Sequence, residues 1–141
     1  MKKFYIAGIV KEEDGSGYSV YFPDIPNMAI GGETVEEALE NAADCLIYTL
    51  RSMAEQNATI PNPSSMEEVK RRVKEERELD GLSCPEDTLY HYFTAPVLDM
   101  VPVRVNLTVP RAYLDEIDAK AKLCGFNRSS FMTHAAISYG K

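Results

Sequence analysis

Val103-Arg104-Val105-Asn106-Leu107-Thr108-Val109 alternates strictly, with Val103, Val105, Leu107 and Val109 on one face and Arg104, Asn106 and Thr108 on the other. Side chains of a strand point alternately to its two faces, so this period describes a strand with one buried and one wet side. The β-branched content agrees, and Pro110 then removes the next backbone donor and stops the strand. The remaining thirty or so residues are helical in pattern. Leu114, Ile117, Ala121 and Cys124 recur on one face, Gly125 is a suited C-terminal cap, and Asn127 is a suited N-cap for a last helix bearing Phe131, Met132, Ala135 and Ala136. One strand and two helices cannot close a core, so the strand is expected to pair with the same strand of a second copy. The polar face of such a two-stranded ribbon carries Arg104, Asn106 and Thr108, side chains able to reach base edges in a DNA major groove. The start of the last helix, with Asn127, Arg128 and Ser129, offers free amides to a phosphate.

Beyond this segment, the 141 residues suit one ordinary domain plus a small accessory unit. The net charge of −7 hides an asymmetry. Residues 1–100 hold 9 Lys/Arg against 19 Asp/Glu, a net of −10, whereas residues 101–141 hold 6 against 3, a net of +3. The basic tail can approach phosphates; the acidic body would be repelled by nucleic acid and suits a basic protein. No apolar run approaches a membrane span, the first residues lack a signal-peptide core, and a cytoplasmic protein is expected. Three well-separated cysteines, Cys45, Cys84 and Cys124, form no CxxC or Cys/His cluster, so neither a disulfide framework nor a zinc site is read.

The body begins with two apolar, aromatic runs, Phe4 to Val10 and Tyr18 to Phe22, around a polar loop holding Asp14-Gly15: a β-hairpin. Pro23 and Pro26 end its second strand, and a short third strand is expected over Met28 to Ile30. Thr34 and Glu37 form a capping box for a helix to about Ala54, whose stripe Ala38, Leu39, Ala42, Leu46, Leu50 and Met53 covers one sheet face. Ser65 opens a second helix over about 66–79. Only Met66, Val69, Val73 and Leu79 are apolar in it, and it reads as a solvated surface helix. The C-terminal part of the run Leu89 to Leu98 adds a fourth strand, which Pro96 places at an edge or bulge. The fold class is therefore α+β: a three- to four-stranded antiparallel sheet with a covering helix, then a strand-helix-helix tail. The domain boundaries expected are 1–100 and 101–141.

Two resemblances attach to these residues. The segment 103–110, the helix after it and Gly125-Phe126-Asn127-Arg128-Ser129-Ser130-Phe131 resemble a ribbon-helix-helix DNA-binding domain. Gly17-Tyr18-Ser19-Val20-Tyr21-Phe22-Pro23-Asp24-Ile25-Pro26, Gly32 to Ala38 and Ile60 to Ser64 resemble the HicB antitoxin family. Where that family often has Gly-Cys after the Asp-Leu-Pro motif, this chain has Asn27-Met28, and the charged helix makes it a long form.

The resemblance implies a partial ribonuclease-H-like front without nuclease activity that masks a small basic RNA-cleaving HicA-like toxin. It further implies a tail that represses the operon through operator DNA, homodimers through the ribbon, and tetramers or larger assemblies through the front. Toxin contacts are expected near Tyr21, Asp24 and Asn27. Asp24 is equally a turn residue bonding its own backbone. No catalytic residue, metal or cofactor is assigned. Asp14, Asp24, Glu37 and Asp44 invite comparison with a nuclease metal cluster, but their spacing does not require them to meet, and His91 and His134 lack a partner in sequence. Two other readings stay open: a stand-alone regulator whose front senses a small ligand, and a metal-dependent RNase.

Overall fold

The computed structural model describes residues 2–26, 28–96 and 98–140, apart from the side chain of Pro96. They fall into two compact units, residues 1–101 and 102–141. In the first, strand β1 (Lys2–Lys11) turns back into β2 (Tyr18–Tyr21), β3 (Ile30–Gly32) follows, helices α1 (Val35–Glu55) and α2 (Met66–Leu79) come next, and β4 (Leu89–Pro96) closes the sheet. The sheet order is β3-β2-β1-β4 with every pairing antiparallel. With its four strands and its helices this is the α+β class expected.

The hairpin forms where the Asp-Gly signal put it. Glu12 donates its amide to the Gly17 carbonyl at 2.9 Å, and Gly15 takes a φ of 77°, a conformation glycine adopts without steric cost. β3 differs from expectation by two residues. Its ladder pairs Val20 with Ile30, Ser19 with Gly31 and Tyr18 with Gly32, so the two glycines just beyond the expected strand form its body. A Cβ on Gly32 would stand 2.6 Å from the Ala38 amide nitrogen, so only glycine lets this strand lie against the start of α1. β4 is also longer than expected. Leu89–Pro96 pairs with β1, from Ile9 opposite Leu89 to Lys2 opposite Pro96, and it lies at the sheet edge where Pro96 demands least.

α1 is capped as expected. The Thr34 hydroxyl accepts from the Glu37 amide at 3.1 Å, although the Glu37 carboxylate reaches back to the amide of Glu33, at 3.3 Å, one residue earlier than a capping box requires. Ala38, Ala42, Leu46 and Leu50 are buried against Tyr5, Ala7, Ile9, Phe22 and Phe93.

The expectation for α2 is overturned. It does not lie in solvent; it covers the second face of the sheet. Val69 and Val73 are fully buried against Ile6 and Val10. Gly8 sits beneath, with the Val73 methyls within 3.1–3.2 Å of where a Cβ would stand. The sheet therefore has helices on both sides, and residues 5–10 of β1 are buried without a break.

In the second unit, α3 (Arg111–Leu123) begins after Pro110 and ends before Gly125, which has a φ of 74°, and α4 (Arg128–Ser138) follows. Residues 98–110 form no strand within the chain.

Candidate functional site

Two groups of residues are singled out by the sequence, one in each unit. In the first unit, Tyr21 lies along an open groove of about 590 Å³ that runs past Phe22, Ile25, Met28 and Ile30 to Glu76 of α2, and Asp24 does not line it. The third residue, Asn27, lies outside the described residues.

Both described side chains are held from within the chain. Asp24, nearly buried, accepts from the Ser64 amide at 2.8 Å, the Ser64 hydroxyl at 2.5 Å and Arg72 Nη1 at 3.1 Å. Arg72 also donates to the Pro23 carbonyl. The carboxylate thus ties the β2 turn, the 57–65 connector and α2 together. Its bonds run to Ser64 and Arg72 and not to its own turn, and it offers little surface to a partner.

The Tyr21 hydroxyl accepts from Arg77 Nη1 at 3.0 Å, while the Arg77 guanidinium grips Glu12 at 2.9 and 3.2 Å and donates Nε to the Ser83 carbonyl at 2.5 Å. Arg77 is 1% exposed. The bond from Arg77 holds the Glu12 carboxyl below its ordinary range, and the same bond stabilises the charged guanidinium. Sequence reasoning missed this cluster. The available signal was Val69, Val73 and Arg77 spaced by four, which places all three on one helix face.

The carboxylates compared with a nuclease cluster are dispersed. Asp14 accepts from Ser16 in the hairpin loop, Asp24 is tied as described, and Glu37 caps α1. Among the described residues no group of three or more His, Cys, Asp or Glu side chains is placed to hold a metal ion.

In the second unit, residues 103–108 are exposed throughout. Val103 is 81%, Val105 72% and Leu107 67% accessible, so the apolar face of the alternating segment has no cover in one chain. Arg104, Asn106 and Thr108 share this exposure and make no side-chain hydrogen bond among the described residues. α4 buries none of its side chains fully; Ala135, Ala136 and Ile137 are open. At its start, Asn127 Oδ1 accepts from the Ser130 amide at 2.8 Å, leaving Ser129 at the surface. Arg128 donates Nε and Nη2 to the two oxygens of Asp118 in α3, at 2.9 and 2.8 Å. The side-chain bond between them lowers the Asp118 pKa and raises that of Arg128. No local pattern foretells a pair ten residues apart across a helix break.

No described helix is long and apolar enough to cross a membrane. Residues 5–136 match the family described as HicB_like antitoxin of bacterial toxin-antitoxin system. The chain is 44% identical over 54 residues to the antitoxin HicB 2 of Photorhabdus laumondii, covering 38% of this chain and 39% of that one. It is 46% identical over 50 residues to the antitoxin HicB of Escherichia coli, covering 36% of each. These matches span less than two fifths of each curated relative. The fold is similar over 99% of both chains to the crystal structure of the Burkholderia pseudomallei antitoxin HicB, with a TM-score of 0.58 and 26% identity. A chain of a toxin-antitoxin complex from Streptococcus pneumoniae shares the fold at a TM-score of 0.57 and 23% identity, over 97% of this chain and 98% of that one.

Proposed function

The chain belongs to the HicB-like antitoxin family of bacterial toxin-antitoxin systems, and on that basis we propose that its two units have two separate roles. The first unit binds and neutralises a small basic RNA-cleaving toxin of the HicA kind. The second is a ribbon-helix-helix module that dimerises through residues 103–109 and represses the operon encoding both proteins. The first unit is read as a partial ribonuclease-H-like sheet put to a non-catalytic use.

The alternating, exposed segment 103–108 carries this reading. A strand with an uncovered apolar face and no ladder in its own chain is completed by the same strand of a second copy. Burying each of its apolar side chains would contribute about 1.5–3 kcal/mol. The opposite face then projects Arg104, Asn106 and Thr108 twice over, on a ribbon narrow enough for the major groove. Arginine suits guanine and asparagine suits adenine, each bidentate contact worth roughly 1–3 kcal/mol of discrimination. Asn127 and Ser129 place the first-turn amides of α4 against a backbone phosphate. The net charge of −10 over residues 1–100 favours a cationic partner for the first unit. Tyr21 and the groove beside it, together with Asn27, are the toxin-facing candidates, and Asp24 ties the turn after β2 to the chain around Ser64 and Arg72.

Toxin neutralisation is tested by co-expression with the neighbouring short basic protein, where rescue of growth and a co-purifying complex are expected. If neither appears, toxin neutralisation is lost and DNA binding stands. For operator binding, Arg104→Ala and Asn106→Ala should each abolish the shift of an operator fragment while the dimer persists. Unchanged affinity and specificity in both variants would remove the ribbon assignment.

A further inference from the structure

The cation nearest the start of α4 is already engaged. Arg128 is the first residue of that helix, and its guanidinium lies edge-on against both oxygens of Asp118. Both side chains remain open to solvent, 54% and 41% accessible, so a phosphate can reach the pair from outside. Arg104, on the alternating segment, forms no ion pair among the described residues. The tail therefore leaves its base-reading arginine free and neutralises its backbone-side arginine.

Resting on the reading of the tail as a DNA-binding module, we propose that Asp118 withholds Arg128 from the phosphodiester backbone and so weakens the tail's sequence-independent hold on DNA. A phosphate arriving at the start of α4 meets a carboxylate that occupies the Nε–Nη2 edge of the guanidinium and repels it. Counterion release scales with the number of phosphates neutralised by cations, and it supplies essentially all sequence-independent affinity. Removing one cation per protomer from that count lowers binding to arbitrary DNA and leaves base contacts by Arg104 and Asn106 untouched. Operator and arbitrary DNA lose that contact alike, so the tail's overall affinity is lowered.

A four-member cycle of the full-length chain tests this: wild type, Asp118→Asn, Arg128→Ala and the double variant. Each is titrated with a random-sequence duplex across about 50–200 mM salt, with a thermal melt as a check on folding. Arg128→Ala alone is expected to leave affinity within about twofold of wild type and the salt slope unchanged. Asp118→Asn should bind several-fold tighter at low salt, and its slope of log K against log salt should steepen by about 0.9 for each Arg128 freed. The double variant should fall back to the level of Arg128→Ala. A several-fold loss with a flatter slope in Arg128→Ala alone would show Arg128 already on phosphate and overturn the proposal. So would an unchanged Asp118→Asn, or a gain that survives in the double variant, which would make the effect one of bulk charge. Absence of binding by wild type at every salt concentration would remove the DNA-binding reading itself, and this inference with it.

Discussion

Arg77 shows how a single charged residue can serve the interior. It is the third member of the stripe Val69-Val73-Arg77, and its guanidinium makes four hydrogen bonds, to Glu12, Tyr21 and the Ser83 carbonyl. Removing one partner of a buried pair strands the other charge away from water, at about 3–5 kcal/mol when burial is complete. Glu12 stands at the rim, so Glu12→Gln should cost about 2 kcal/mol, read from the urea midpoint at neutral pH. The pH dependence has a definite sign. The Glu12 pKa is lower folded than unfolded, so its contribution is present above the ordinary glutamate pKa and lost as pH falls through the lowered one. The gap between wild type and Glu12→Gln should therefore be full near pH 7 and close below about pH 4. A gap independent of pH would mean that the carboxylate charge plays no part. Asp24 follows the same logic on a neighbouring loop. Asp24→Ala leaves the Ser64 amide and Arg72 without their acceptor and should cost about 2 kcal/mol, measured by the same method.

Among the secondary-structure elements, α2 separates what is legible in the sequence from what is not. Its start is plain, since Ser65 accepts from the Glu68 amide as the pattern requires. Its destination is not, because two buried valines among ten charged residues look like a solvated helix. The telling signal lies elsewhere, in Tyr5 to Val10. A strand with one wet face alternates, whereas this run is apolar throughout apart from Gly8, as a strand covered on both sides must be. The pattern of α1 supplies one covering helix where the strand requires two. The same difficulty hides the body of β3, whose glycines carry no hydrophobic pattern, and the pairs Asp24–Ser64 and Asp118–Arg128, which have no local signature. Caps, turns and the apolar stripe of α1 are short-range features, and these the sequence does reveal. The role of α2 is testable: Val73→Ala removes buried methyls and leaves a cavity against Gly8 and Ile6, for an expected loss of about 2–3 kcal/mol. A solvated helix would lose less than about 0.5 kcal/mol from the same change.

The two units differ in how far each is complete alone. Residues 1–101 close a core on both sides of a sheet. Among the described residues of 102–141 only Ala121 is fully buried, and Val103, Val105, Leu107, Leu123 and Ile137 are exposed. A forty-residue unit with so little core needs oligomerisation, a metal or disulfides to persist, and its single cysteine, Cys124, has no second cysteine within the unit to bridge to. Under the proposed reading, a second copy supplies the missing burial. Leu107→Glu should therefore convert the dimer to monomer in light scattering and abolish operator binding, because a charge placed in the centre of the apolar seam stays solvated only if the seam opens. The unfolding transition of the first unit should be unchanged, since the substitution lies outside the core residues described for that unit. Arg104→Ala, on the opposite face of the same segment, should lose the operator and keep the dimer. The two variants together assign separate duties to the two faces of one strand. A Leu107→Glu chain that still dimerised and bound DNA would show that the apolar face is not the seam, and the alternation of residues 103–109 would need another use.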